Sequence, residues 1–190
     1  MTGTLVIVNG PSGSGKGSLV SYLRSVYPQI GFSISCTTRS PRPNEKDGVN
    51  YHFLSEAEFT RRIEAGDFLE WAKFGKNYYG TLKSEVLHRL ERGEVIVLEI
   101  EIQGARQIVR GTPKDELLSI YIDAGSWEAL EKRIVARAPI SHDELADRKK
   151  SYETEVEFKD EADVVIPNPD GGLEAAKKKI IEVVAPLFQN

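Results

Sequence analysis

The chain has 190 residues, 25 basic and 29 acidic, with a net charge of −4, 40% hydrophobic and 28% charged side chains. That acidity argues against a protein that coats nucleic acid, and a lone cysteine, Cys36, excludes an internal disulfide or a multi-cysteine zinc site and suits a reducing, cytoplasmic setting. The longest apolar run, Val95 to Leu98, is far shorter than a membrane span, and the N-terminus carries no signal-peptide pattern, so neither nucleic acid nor membrane is expected as a partner.

Leu5-Val6-Ile7-Val8 is a β-branched run stopped by Asn9-Gly10-Pro11, the pattern of a strand buried on both faces at the centre of a sheet. The spacing of Leu19, Val20, Leu23 and Val26 predicts a helix over Lys16 to Val26, so strand, glycine loop and helix follow directly. Between Phe32 and Arg92 the character changes. Ser33 to Gly48 is rich in Ser, Thr, Pro and Arg, and short aromatic strands follow at Tyr51 to Leu54 and Phe68 to Phe74. Helices are predicted from the capping box Ser55-x-x-Glu58 toward Ala65, and over Thr81 to Arg92 with Gly93 as its stop. This stretch reads as a small inserted lobe. Three more buried strands, Glu94 to Glu99, Leu117 to Asp123 and Asp163 to Ile166, alternate with helical stretches, which makes a parallel α/β sheet the expected core. A helix starting near Ser126 is broken at Arg137-Ala138-Pro139-Ile140, and Ser141-x-x-Glu144 caps a long charged helix to about Asp160, giving an exposed helical hairpin able to move. The last helix runs near Leu173 to Ala185.

Gly10-Pro11-Ser12-Gly13-Ser14-Gly15-Lys16 fits G-x-x-x-x-G-K between strand and helix, the context a phosphate loop requires. Its glycines let successive backbone N–H groups converge on a phosphate, the helix N-terminus adds partial positive charge, and Lys16 adds a full one. The expected ligand is a nucleoside triphosphate. A glycine turn that merely joins strand to helix is the bland alternative, and the flanking elements weigh against it. Gly17 stands where many such loops place the Ser or Thr that binds magnesium, and Ser18 comes one position later. This G-K-G-[ST] variant resembles adenylate kinases and some guanylate kinases, and implies a nucleotide kinase with a more hydrated metal.

Ser35-Cys36-Thr37-Thr38-Arg39-Ser40-Pro41-Arg42 puts two arginines three apart in a proline-stiffened loop, with Tyr51 soon after. Guanidinium forks match phosphate oxygens, although the segment by itself is equally a solvated basic loop. Glu70 lies in the hydrophobic strand Phe68-Leu69-Glu70-Trp71. Alternation leaves it two readings: it turns to solvent or a lysine, or it is buried and meets donors such as the ring N–H and exocyclic amine of guanine. Glu99 and Glu101 share one face at the carboxyl end of Val95-Ile96-Val97-Leu98, where open α/β sheets bind ligands. Lys132, Arg133, Arg137, Arg148, Lys149 and Lys150 make the helical hairpin locally basic, which charge alone reads as a solvated surface. His52, His88 and His142 are scattered and form no metal-ligand spacing.

Ser35-x-Thr37-Thr38-Arg39-x-Pro41-Arg42, Asn77-Tyr78-Tyr79-Gly80-Thr81 and Leu98-Glu99-Ile100-Glu101-x-Gln103-Gly104, in order behind the phosphate loop, resemble guanylate kinase over essentially the whole chain. The resemblance implies a P-loop nucleoside monophosphate kinase fold in one domain: a parallel-sheet core (about 1–33, 93–136 and 161–190), a GMP-binding lobe (about 34–92) and a helical lid (about 137–160). It implies transfer of the γ-phosphoryl of ATP to GMP, with dGMP as a further acceptor, in purine nucleotide metabolism. By position it assigns Arg39, Arg42, Tyr51 and Tyr79 to the GMP phosphate, and Ser35, Glu70, Thr81 and Glu101 to the surroundings of the guanine, with Glu99 as a further candidate for GMP binding. Gly10 to Ser18 and Asn168 fall to ATP, and Lys16, Arg39, Arg133, Arg137 and Arg148 to the transferring phosphates. Thr81 stands where serine is common, Glu99 and Glu101 where aspartates are, and Arg137-Ala138-Pro139 where the family has Arg-Gly. Pro167 and Pro169, either side of Asn168, are further departures.

The reaction needs no base, because GMP already presents an anionic oxygen; what it needs is cations that cancel repulsion and align two phosphate chains. Mg2+ is expected with ATP, carried mainly by nucleotide and water, with Ser18 as the candidate protein ligand. A GTPase switch is disfavoured, since Asn44-Glu45-Lys46-Asp47 and Thr112-Pro113-Lys114-Asp115 both miss the [NT]-K-x-D spacing. Noncatalytic guanylate-kinase-like scaffolds typically lack a working phosphate loop, whereas Lys16 is present here. The nearest alternative is a kinase of the same fold acting on another phosphorylated acceptor, such as a sugar phosphate.

Overall fold

The computed structural model describes residues 3–137 and 140–189. In chain order the elements are β1 (Thr4–Asn9), α1 (Lys16–Val26), β2 (Gly31–Phe32), β3 (Cys36–Thr37), β4 (His52–Phe53), α2 (Glu56–Glu64), β5 (Phe68–Phe74), β6 (Asn77–Leu82) and α3 (Lys83–Glu91). They continue with β7 (Val95–Glu99), α4 (Ile102–Gly111), β8 (Leu117–Asp123), α5 (Trp127–Arg137), α6 (His142–Glu155), β9 (Val164–Pro167) and α7 (Leu173–Val184). A five-stranded sheet has the order β2-β7-β1-β8-β9, so the apolar run of β1 takes the central place expected of a strand buried on both faces.

Two compact units divide the chain. The first holds Gly31–Leu117 with the start of β1. In it β2 and β7 pair in parallel, Gly31 beside Ile96, and a second sheet of order β4-β3-β6-β5 is mixed, with β5 and β6 forming an antiparallel hairpin around Gly75. Cys36, Phe59, Phe68 and Leu82 form a separate small core there, where the Phe59 ring stacks on Phe68 at 4.4 Å and on Tyr78 at 5.3 Å. Ser55 caps α2 by accepting from the Glu58 N–H, as its capping box predicts. No helix among the described residues is long and apolar enough to cross a membrane.

The second unit holds Val6–Ile30 and the chain from Leu118 onward. Here β8 and β9 pair in parallel with Ile122 beside Ile166, and Ser119 and Asp163 lock the starts of the two strands through reciprocal hydrogen bonds of 2.7 and 2.9 Å. Helix α1 packs on α7, and the Tyr27 and Phe188 rings stack beyond them at 4.5 Å. Ser141 caps α6 through the Glu144 N–H.

Three sequence expectations differ in detail. Thr81 does not begin a helix: it stays in β6, where its hydroxyl and its pairing with Glu70 hold it extended. The charged helix from His142 stops at Glu155 and tightens into a 3-10 turn over Val156–Asp160. The aromatic strand at Tyr51 to Leu54 narrows to His52–Phe53, with Tyr51 forming only an isolated bridge to Asp47.

Candidate functional site

Each unit carries part of the expected chemistry. In the second, Gly10–Lys16 turns from β1 into α1. Gly15 has φ +95° at the helix N-cap, and a Cβ there would come within 2.5 Å of the Asn168 amide nitrogen, so both conformation and space call for glycine. The Lys16 ammonium is buried and donates to the carbonyls of Gly10 at 2.5 Å and Pro11 at 3.2 Å, folding the cation over its own loop. The Ser14 hydroxyl is buried without a hydrogen-bond partner, an unsatisfied group in a loop built to meet phosphate oxygens. Asn168 lies at the end of β9 and donates from Nδ2 to the Ser14 carbonyl at 2.7 Å, strapping the loop from outside.

Two of the three hairpin arginines reach this region. Arg148 on α6 donates from Nη1 to the Ser12 hydroxyl at 2.6 Å and from Nη2 to Glu144 at 2.9 Å, while its buried Nε has no partner. Arg133 on α5 bonds Asp170 at 2.8 Å and the Asn168 carbonyl at 2.9 Å. Arg137 ends α5, and its side chain, like residues 138–139, lies outside the described residues. Gly17 and Ser18 are exposed on the first turn of α1. No group of three or more His, Cys, Asp or Glu among the described residues could hold a metal. One exposed hydroxyl beside a phosphate loop fits a magnesium ion held mostly by phosphate and water, which Mg2+ tolerates well.

In the first unit, Glu70 sits in β5 just past a register shift between Phe68 and Glu70, a bulge that re-aims the side chain. It faces inward and is only 5% exposed. Thr81 donates its hydroxyl to Oε1 at 2.6 Å, and Gly104 of α4 leaves space for Oε2, where any Cβ would collide. Burial, reinforced by Glu101 and opposed by the Thr81 hydrogen bonds, pushes the Glu70 carboxyl up to about 7. A carboxylate with so few partners in an apolar strand is ready to accept two more donors. Of its two sequence readings, burial is the one observed.

Thr37 and Thr38 pin the neighbouring loop to β6: the Thr37 hydroxyl donates to the Tyr78 carbonyl at 3.0 Å, and the Thr38 hydroxyl accepts from the Tyr78 N–H at 2.9 Å. This sets Arg39 near Tyr79, and its guanidinium is held above its ordinary range by Glu45 first and by the Tyr79 phenol after it. Tyr51 and Tyr79 meet edge to face at 6.1 Å. Burial first, then Tyr79 and Glu99, pushes the Tyr51 phenol above its ordinary range, so it stays a donor. Ser35 is half-buried and its carbonyl accepts from the His52 N–H at 2.9 Å, while Arg42 is exposed. Glu101 is the N-cap residue of α4.

Sequence reasoning assigned no role to Glu45, Gly104 or Gln107. Glu45 forms a two-point ion pair with Arg39, both contacts 3.0 Å. Gln107, one turn beyond Gly104, clamps the backbone of Trp71 with 2.6 and 3.2 Å hydrogen bonds. The spacings Arg42-x-x-Glu45 and Gly104-x-x-Gln107 were the only local signals, and neither names its partner.

The family model for guanylate kinase matches residues 2–186. A guanylate kinase of Nostoc sp. is 44% identical over 95% of this chain and 88% of its own. One of Synechococcus sp. is 42% identical over 97% and 83%. The crystal structure of guanylate kinase from Anaplasma phagocytophilum is similar with a TM-score of 0.77 at 25% identity, covering all of this chain and 88% of the other.

Proposed function

As a member of the guanylate kinase family the chain is an enzyme that phosphorylates a nucleoside monophosphate, and we propose that its acceptor is GMP, with dGMP accepted too, and its donor ATP with magnesium. The observation that carries this reading is Glu70: a buried, underpartnered carboxylate beside Thr81 suits the adjacent N–H donors of a guanine edge. Ser35, Thr81, Glu99 and Glu101 complete the surroundings of the base. Arg39, Arg42, Tyr51 and Tyr79 bind the acceptor's phosphate, the two tyrosines through their hydroxyls, and Tyr51 as a phenol that burial keeps protonated. Assigned contacts fall on base and phosphate, which is why dGMP belongs to the reading.

The donor's phosphates lie against the backbone N–H groups of Gly10–Lys16, and Lys16 exchanges its loop carbonyls for phosphate oxygens. The unsatisfied Ser14 hydroxyl and Arg148 Nε supply further donors. Arg133 joins by exchanging Asp170, and Arg137 is assigned by position. Asn168 supports the loop that the nucleotide rests on. Magnesium, when bound, neutralises the donor's phosphate oxygens, with Ser18 as its one candidate side chain. The acceptor oxygen is already anionic, so these residues align and neutralise rather than remove a proton. Water excluded from the site cannot take the phosphoryl group, so ATP hydrolysis without acceptor should be weak. The reaction belongs to the cytoplasm, where its nucleotides circulate.

The test is ADP formation with ATP and magnesium against GMP, dGMP, AMP, UMP, dTMP and no acceptor. Stimulation by GMP and dGMP alone is expected. Indifference to all five would overturn the guanine reading in favour of another phosphorylated acceptor, such as a sugar phosphate.

A further inference from the structure

We propose that Glu45 is the positioning residue for Arg39: it takes the end of the guanidinium and leaves a single two-donor edge for the acceptor's phosphate. This rests on the acceptor reading above. A guanidinium offers five N–H donors in a rigid plane. Glu45 accepts from Nη1 and Nη2 end-on, both at 3.0 Å, and the Ser40 carbonyl accepts the second Nη1 proton at 2.7 Å. Nη1 is then saturated. Beyond Glu45 and Ser40 there are Nε–H and the outer Nη2–H, adjacent donors on one edge that match two oxygens of a phosphate side-on, with the Tyr79 phenol also against the guanidinium.

The plane of the fork is held as well as its rotation. The guanidinium carbon lies 5.5 Å from the Tyr51 ring centre and 5.9 Å from that of Phe53. Glu45 is anchored independently of Arg39. The Arg42 N–H donates to its Oε2 at 2.7 Å, and the Glu45 N–H donates back to the Arg42 carbonyl at 3.0 Å, closing a turn through Asn44 at φ +73°. The ion pair is also sheltered, with side chains 16% and 17% exposed. Arg39 and the Arg42 backbone together hold the Glu45 carboxyl below the usual carboxylate range, so it is charged whenever the enzyme works.

A carboxylate beside an incoming phosphate also repels it, and that separates two roles experimentally. Were Glu45 a competitor that withholds Arg39, removing its charge would tighten acceptor binding. Positioning predicts the reverse, because the end-on pair and a side-on phosphate occupy different edges of one guanidinium. Binding of GMP and of guanosine is measured for the full chain and for Glu45→Gln and Glu45→Ala. Expected is an approximately tenfold loss of GMP affinity in the alanine variant, partial recovery in the glutamine variant, which keeps one acceptor oxygen, and guanosine affinity unchanged in both. Tighter or unchanged GMP binding overturns the proposal. So does equal weakening of GMP and guanosine, the signature of a distorted lobe. A wild-type protein that does not prefer GMP to guanosine removes the acceptor reading itself, and this inference with it.

Discussion

At Glu70 burial, reinforced by Glu101, raises a carboxyl to about 7, and function and stability then respond to pH with opposite signs. The native group keeps its proton up to about 7, whereas in the unfolded chain it ionises at the ordinary value of 4.5. Between those values the native state holds the extra proton, so its stability falls as pH rises through the window and is flat above it, by at most about 3 kcal/mol. Acceptance from guanine needs the ionised form, so kcat/KM for GMP should rise through the same pH region. Glu70→Gln should remove that step and lose about 10- to 100-fold in kcat/KM for GMP, while melting relatively higher than wild type as pH increases. The second ionisation of the acceptor's phosphate is common to both proteins and cancels in their ratio. A pH profile that survives the substitution would assign the titration to another group.

At the scale of elements, α4 covers the open edge of β5. Trp71 has β6 on one side only, and the Gln107 amide satisfies its outward N–H and C=O as a neighbouring strand would. One turn back along the same helix, Gly104 gives the Glu70 carboxyl its room. The helix therefore approaches as closely as a residue without a side chain allows, and that closeness contributes to the desolvation of Glu70. Gly104→Ala should force the carboxyl or the helix aside. We expect a destabilisation of roughly 1–3 kcal/mol in chemical unfolding and a higher KM for GMP, with kcat less affected. Unchanged KM would mean that Glu70 can yield without losing its place.

For the molecule as a whole, the residues proposed for the donor fall in one compact unit and those proposed for the acceptor in the other. Ligands that bind only the native state stabilise it by mass action, about 2.7 kcal/mol at a hundredfold excess over Kd. For a chain of this size that is roughly 5–10 °C in Tm. Arg39→Ala should abolish the shift produced by GMP and keep that produced by ATP with magnesium, and Lys16→Ala should do the reverse. A full GMP shift in the Arg39 variant would exclude it from the acceptor's phosphate.

The sequence by itself determined the elements whose cause is local. The β-branched run of β1, the apolar spacing of α1 and the caps at Ser55 and Ser141 need no distant partner, and all stand where periodicity and capping put them. The phosphate loop was legible for the same reason, being a single contiguous turn. Tertiary structure decided what depends on a partner far along the chain. Short strands such as β2 and β3 exist only through pairing, Thr81 stays extended because Glu70 lies opposite, and Glu70 faces inward because a bulge and a glycine from α4 give it space. The contacts of Trp71 with Gln107 and of Arg148 with Ser12 were likewise out of reach, because a hydrogen bond to a distant residue leaves no periodicity behind it, and Glu45, only six residues from Arg39, lies in an irregular turn that has no periodicity to mark it.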